Sequence, residues 1–453
     1  MDCMKKIELS IKDLFKRNNK LSLYLTYIFI SISFPLTYGL LIPVILGLFT
    51  YQIYKVYINK LKTTDFLENC WFILIFSLVF FRSVHTIVLL IFLFFIFIKR
   101  NQLASNKTNI SFKFENYILI FFTLIVIDNF FHGNFFKGLD TYLYLLLYPI
   151  LFISLRKIHF LISLTKTIKV FISSVFVSLF YLTILNIFYA DNIITTNINF
   201  SEFLDLSHVY YGMFLGLAGS LLVYLKVNGA SYISKRIDIF LFLILLLFII
   251  YIGARISLIA VILVTLLGIY NLVHLEWYKK VIILIIIAIG VFSLSFKFIP
   301  RVKQGYDSIT DVYKFVINKK EDDLKNYSWE NMNQRYLVLD YTIKELKNNL
   351  VLGIGIKNVK DVISNKIIED GHLHFEPLNT HNQYLHFFLG MGIFGFVYFI
   401  FLLFIFLIKV PQGIYFLLFF LIVMLTESIL VRVKGISLFF IFYLIFSYNR
   451  KVV

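Results

Sequence analysis

Cysteine and proline are both scarce in this chain, at two and six among 453 residues. Cys3 precedes the first apolar run and Cys70 opens the third, on the side of a reducing compartment, so they form no disulfide framework. The few prolines, with no match between the two halves of the chain, argue against a transporter such as a lipid-linked sugar flippase, whose broken helices recur at matching positions. No repeat of fixed period and no low-complexity linker interrupts the sequence. A removable signal peptide is not expected either, because no small-residue cleavage site follows the basic stretch with Lys5, Lys6, Lys12, Lys16, Arg17 and Lys20. Ile7, Ile11, Leu14 and Phe15 in that stretch follow helical spacing, which predicts a cytoplasmic amphipathic helix on the inner leaflet over residues 1–20. Acidic residues are the minority, 26 against 43 Lys and Arg. The resulting charge of +17 is spread between apolar runs instead of gathered in one patch, which speaks against nucleic acid as a partner.

What is abundant is apolar surface. Hydrophobic residues make up 60% of the chain and its mean hydropathy is +0.84, beyond what a water-soluble fold can bury. Runs such as Ile239–Ile252, Ser257–Val273 and Val281–Ile299 approach the roughly 20 residues that cross a bilayer. Hydropathy predicts an all-α polytopic membrane protein of about 12–14 spans. The candidates are 21–35, 39–58, 67–81, 84–98, 116–131, 139–155, 167–189, 208–225, 237–254, 256–273, 280–298, 382–407, 412–430 and 436–448. With both termini inside, the inner loops and span ends carry 25 Lys and Arg against six at the short outer ones, which fixes the orientation. Four regions follow: the N-terminus at 1–20, a transmembrane region at 21–298, an extracytoplasmic loop at 299–381, and a C-terminal transmembrane region at 382–453. The long loop holds twelve basic and twelve acidic residues, so it is a neutral surface.

Charged groups retained beside apolar spans are functional candidates. Arg82, Arg255, Arg335 and Arg432 qualify as residues at the outer face. Arg255 stands in a hairpin, Gly253-Ala254-Arg255-Ile256, with almost no polar length to keep a guanidinium in water. The alternative is an arginine that snorkels to headgroups or pairs with an acid such as Glu427. In the loop, Asn331 to Gln334 resembles a helix N-terminus, and the helix is expected to run to about Asn348. Its stripe Leu339, Ile343, Leu346 and Leu350 predicts a buried face, with Arg335 one turn before it. A guanidinium so placed suits a phosphate, or else an ordinary ion pair with Asp340 or another acid. Gly353-Ile354-Gly355 then marks a turn that a plain helix stop explains as well.

The segment Asn379-Thr380-His381-Asn382-Gln383 opens a later span. Helical periodicity places His381, Leu385, Phe388, Gly392 and Gly395 on one seam, where the two glycines would allow close packing against a neighbouring helix. A histidine held there can serve as a general base near neutral pH; the bland reading is an interfacial polar residue. His208, His372, His374 and His386 are nearby competitors, and His386 lies off the seam.

Together these residues resemble the O-antigen ligase and O-antigen polymerase superfamily of bacterial envelope glycosyltransferases. The ligases carry an Arg-x3-Leu pattern in the large loop, matched by Arg335-Tyr-Leu-Val-Leu339. They also carry a His-[Asn/Ser/Gln]-x9-Gly-x2-[Gly/Thr/Tyr] pattern where the loop re-enters the membrane, matched by His381-Asn382 and Gly392-Ile-Phe-Gly395. Arg255 matches an arginine at an upstream helix junction, and the resemblance covers about residues 200–410. It implies a multi-pass protein of the bacterial inner membrane that moves a glycan from an undecaprenyl-pyrophosphate carrier to an acceptor sugar with inversion. The acceptor is lipid A–core for a ligase and the next repeat unit for a polymerase. It further implies His381 as the base, Arg335 and Arg255 as the groups that hold the pyrophosphate, and no metal or other cofactor. Arg82, Arg432 and Asn382 are the expected substrate-binding residues. No Asp, His or Cys cluster with metal-ligand spacing appears outside the spans. The ligases generally have twelve spans, so ligase and polymerase both remain open.

Overall fold

A computed structural model describes residues 63–80, 82–103, 113–133, 135–189, 200–201, 204, 206–272, 331–370 and 378–449. The expectations for residues 1–20, for the spans at 21–35, 39–58 and 280–298, and for loop residues 299–330 fall outside these. Among the described residues there is no strand. The α-helices are α1 (Thr63–Ser77), α2 (Arg82–Leu103), α3 (Phe114–Phe131), α4 (Phe135–Tyr142), α5 (Tyr144–Lys157), α6 (Leu164–Tyr189) and α7 (His208–Val227). They continue with α8 (Lys235–Tyr251), α9 (Arg255–Leu272), α10 (Asn331–Asn348), α11 (Val359–Glu369), α12 (Gln383–Lys409), α13 (Ile414–Val423) and α14 (Val433–Tyr448). Six described stretches are long and apolar enough to cross a membrane: Phe114–Phe131, Leu139–Lys157, Leu164–Ile187, His208–Val227, Arg255–Leu272 and Gln383–Lys409. The protein is an all-α, multi-pass membrane protein.

The chain divides into two compact units, residues 1–108 with 154–207 and residues 109–153 with 208–453. In the first, α1 packs on α2 and α6, and the Trp71 indole donates to the Thr167 hydroxyl at 2.9 Å. The second unit holds every candidate residue except Arg82. Its α7, α9 and α13 form one packed group, and α3 lies along α12. Phenylalanine, 53 residues of the chain, fills the space between α12, α13 and α14, with Phe406 on Tyr443 and Phe420 on Phe439 at ring separations of 4.5 and 5.1 Å.

Two expected spans change character. The apolar run 412–430 ends as an α-helix at Val423, and residues 424–432 form turns and a short 3-10 segment at Ile429–Val431. Thr426, Glu427 and Ser428 interrupt the run there, and the freed backbone groups find partners in the protein: the Met424 carbonyl accepts from the Gln383 N–H, and the Leu430 N–H donates to the Gln383 side chain. The second change is in α12, which breaks at Gly392, whose backbone has φ 63° and ψ −165°. The proposed seam from His381 to Gly395 therefore does not exist as a continuous face.

The break is filled by the segment that follows α10. Ile354 and Gly355 donate their N–H groups to the carbonyls of Leu389 and Gly390, each at 2.9 Å, and Ile393 donates to the Leu350 carbonyl at 2.9 Å. A Cβ on Gly392 would overlap the Val351 carbonyl, and one on Gly353 (φ 73°) would overlap the Gly390 carbonyl. Glycine is required at both. Gly392 thus packs on the loop and not on a neighbouring helix, while the space beside Gly395 is taken by Met391 of the same helix. Gly353-Ile354-Gly355 is a docking element, which goes beyond a helix stop.

The loop helices rest on this junction. Leu337, Val338 and Tyr341 of α10 pack with Val359, Ile363 and Ile367 of α11 and Leu389 of α12. The buried face of α10 is therefore not the expected one: Leu339 and Ile343 are 37% and 41% exposed and Leu350 is exposed. Apolar residues occupy more than one side of α10, so spacing alone selects the wrong stripe.

Candidate active site

The residues between Thr380 and Gln383 are held from several sides. Asn382 caps α12, its side-chain oxygen accepting from the Leu385 N–H at 3.0 Å while its amide nitrogen donates to the Leu425 carbonyl at 3.0 Å. Thr380 is buried and its hydroxyl lies 2.9 Å from that of Ser428. Between these anchors His381 has φ 48°, a left-handed backbone unusual for a side-chain-bearing residue. That twist turns the imidazole out of the helix line and toward the segment after α13.

There it meets Glu427. Its Nδ1 lies 3.4 Å from Glu427 Oε2, and Arg335 Nη2 donates to Glu427 Oε1 at 2.8 Å. Arg335 comes from the first turns of α10, so three separate stretches of chain converge on one carboxylate. Burial alone would raise the Glu427 pKa; the His381 hydrogen bond and the Arg335 charge outweigh it and hold the carboxyl below its ordinary range. An ionised Glu427 fixes the proton of His381 on Nδ1. His381 Nε2 is then the lone-pair nitrogen, and it is shielded from solvent with no hydrogen-bond partner. A carboxylate-oriented imidazole with a free nitrogen is the arrangement of a general base.

The other sequence candidates stand as follows. Arg255 is the exposed first residue of α9, after a tight corner in which Ala254 donates its N–H to the Ile249 carbonyl. Arg432 is exposed and its guanidinium lies over the Tyr210 ring, 5.0 Å from the centroid. Arg82 begins α2 in the first unit, and its side chain lies outside the described residues. Asn382 acts in the positions just given. Among the described residues no three His, Cys, Asp or Glu side chains are grouped as a metal ion would require.

Three residues of the second unit escape sequence reasoning in their observed roles. Glu427 was visible only as a partner for Arg255, yet it joins Arg335 and His381. Asp128, buried in α3, accepts from the Ile356 N–H at 2.8 Å and lies 3.2 Å from His132 Nδ1, pinning the docking element from below. An acid inside an apolar span was a readable signal for it. His386, ranked behind His381, is a buried residue of α12.

An imidazole, a carboxylate and a guanidinium are thus gathered where a helical loop docks onto the apolar helices of a polytopic membrane protein. Residues 240–400 match the family described as O-antigen ligase, a stretch that contains Arg255, Arg335, His381 and both glycines of the sequence pattern. Over that stretch the chain is similar to the O-antigen ligase and polymerase superfamily, whose enzymes are of glycosyltransferase type. No match is found among curated proteins.

Proposed function

We propose that this protein is an O-antigen ligase-like glycosyltransferase of the bacterial inner membrane, transferring a glycan from an undecaprenyl-pyrophosphate carrier to an acceptor sugar such as lipid A–core. The observation that carries the reading is the Arg335–Glu427–His381 relay, together with the family match over residues 240–400. In this reading both termini are cytoplasmic and the loop carrying α10 and α11 faces outward.

The chemistry follows from the relay. His381 Nε2 takes the proton of the acceptor hydroxyl while Glu427 stabilises the imidazolium through Nδ1. The acceptor oxygen bonds to the anomeric carbon, the bond from that carbon to the carrier pyrophosphate breaks, and the electron pair leaves with the pyrophosphate. Attack opposite the leaving group gives inversion. Arg335, steadied by Glu427 on one edge and 35% exposed, meets the leaving phosphate charge with its remaining N–H groups, and Arg255 adds a second cation. Guanidinium groups supply the neutralisation that a metal supplies elsewhere, so no cofactor is invoked. Membrane lipid and the two glycan substrates are the only partners required.

The test is a reconstituted transfer assay with His381→Ala and Arg335→Ala. Both variants insert normally and lose transfer; normal product from His381→Ala would sink the assignment. Resolving the glycolipids of a deletion strain by length separates the two members of the superfamily. Unattached polymer on the carrier marks a ligase, and a single attached repeat marks a polymerase.

A further inference from the structure

We propose that the second unit contains a separate anion-binding pocket for a phosphate or carboxylate carried on a saccharide substrate. The pocket is a cavity of about 570 Å³ at the N-terminal end of α11, within the roughly 300–1,000 Å³ range of small-molecule sites. Lys357, Lys360 and Arg432 line it, with Asp361 as the one acidic residue, so the lining carries a net charge of +2 from three cations and one anion. None of Arg335, Glu427 and His381 lines this cavity, which sets it apart from the relay.

The second, independent observation is His386. It lines the same cavity, is only 3% exposed, and neither ring nitrogen makes a hydrogen bond of ordinary geometry, the Ile356 backbone being its nearest polar neighbour in the protein. A buried imidazole left in that state costs free energy unless a ligand completes it. Its N–H beside three cations suits an oxyanion. The cations are also poorly neutralised. Lys357 has its nearest carboxylate, Asp140, at 3.8 Å, and Arg432 has no carboxylate partner among the described residues, being held by the Tyr210 ring instead. A neutral sugar would leave this charge unanswered, whereas a sugar phosphate or a uronic acid would answer it. The inference rests on the glycosyltransfer reading only in taking the ligand to be a saccharide.

Isothermal titration of the full chain in detergent, at fixed ionic strength, with glucose 6-phosphate, glucuronate and glucose tests it. At least one anionic sugar is expected to bind tenfold or more tighter than glucose, and which one does so separates phosphate from carboxylate as the recognised group. Lys357→Gln with Lys360→Gln, both outside the packed core, should weaken that binding about tenfold, and His386→Leu severalfold. Equal binding of the three sugars, or unchanged binding by the lysine variant, would overturn the proposal. Unchanged binding by a folded His386→Leu would overturn it as well. His381→Ala is expected to bind the anion as the parent does. Loss of transfer in His381→Ala with no anion binding anywhere would reject the pocket and leave the proposed function standing. Anion binding with normal transfer by His381→Ala would do the reverse.

Discussion

Glu427 grips its two partners through different oxygens, Oε1 to Arg335 and Oε2 to His381. Removing its charge should therefore loosen both at once. Glu427→Gln keeps the shape but no longer favours the Nδ1 proton on His381, and a fall in turnover of about 10²-fold or more, with smaller change in KM, is expected in the transfer assay. The same carboxylate sets a pH dependence. Its pKa is held below the ordinary glutamate value of 4.5, so its contribution to the folded state is complete above that value and is lost as pH falls through the lowered one. Hydrogen exchange in α10 should accelerate on acidification in that range, and the Glu427→Gln variant should lack this step. Sequence reasoning could find His381 and Arg335 because each belongs to a short spaced pattern. It could not find their union, because Arg335 and Glu427 are 92 positions apart and only the tertiary fold makes them neighbours.

Among the elements, α12 shows why hydropathy reads positions well and continuity poorly. An apolar run of this length reads as one helix, and Gly392 inside it costs a helix only about 1 kcal/mol, too little to predict a break. The break occurs because the backbone of residues 350–355 competes for the same N–H and carbonyl groups and wins three hydrogen bonds. Gly392→Ala and Gly353→Ala should each destabilise this junction. The left-handed backbone alone accounts for about 1–3 kcal/mol, and the overlap with a facing carbonyl adds to it. Thermal denaturation in detergent should show a clear drop for both, larger than for Gly133→Ala, where a Cβ meets nothing. In α10 the failure was of another kind. Apolar residues surround much of the helix, and the side facing α11 was decided by Val359, Ile363 and Ile367, which spacing within α10 cannot report.

At the scale of the whole molecule, orientation is the expectation with the most consequences, since it decides on which side the relay works. In a Cys3→Ser/Cys70→Ser background, a cysteine placed at exposed Asn365 of α11 should react with a membrane-impermeant maleimide in intact spheroplasts. One at exposed Lys235, at the start of α8, should react only after permeabilisation. The opposite pattern would put the loop inside and end the envelope reading. The spans themselves were legible where an apolar run of eighteen or more residues meets polar ends, as at His208–Val227, because bilayer thickness imposes that length on any sequence. The junction between loop and span was not, and it has a property of its own. It is fastened by amide groups that every residue except proline carries, so side chains at 350, 354 and 389 can be exchanged without removing the fasteners. Apart from the glycines at 353 and 392, the registration of the loop against the histidine is in this sense independent of side-chain identity, protected by the peptide group itself and broken by an imino acid at 354, 355 or 393.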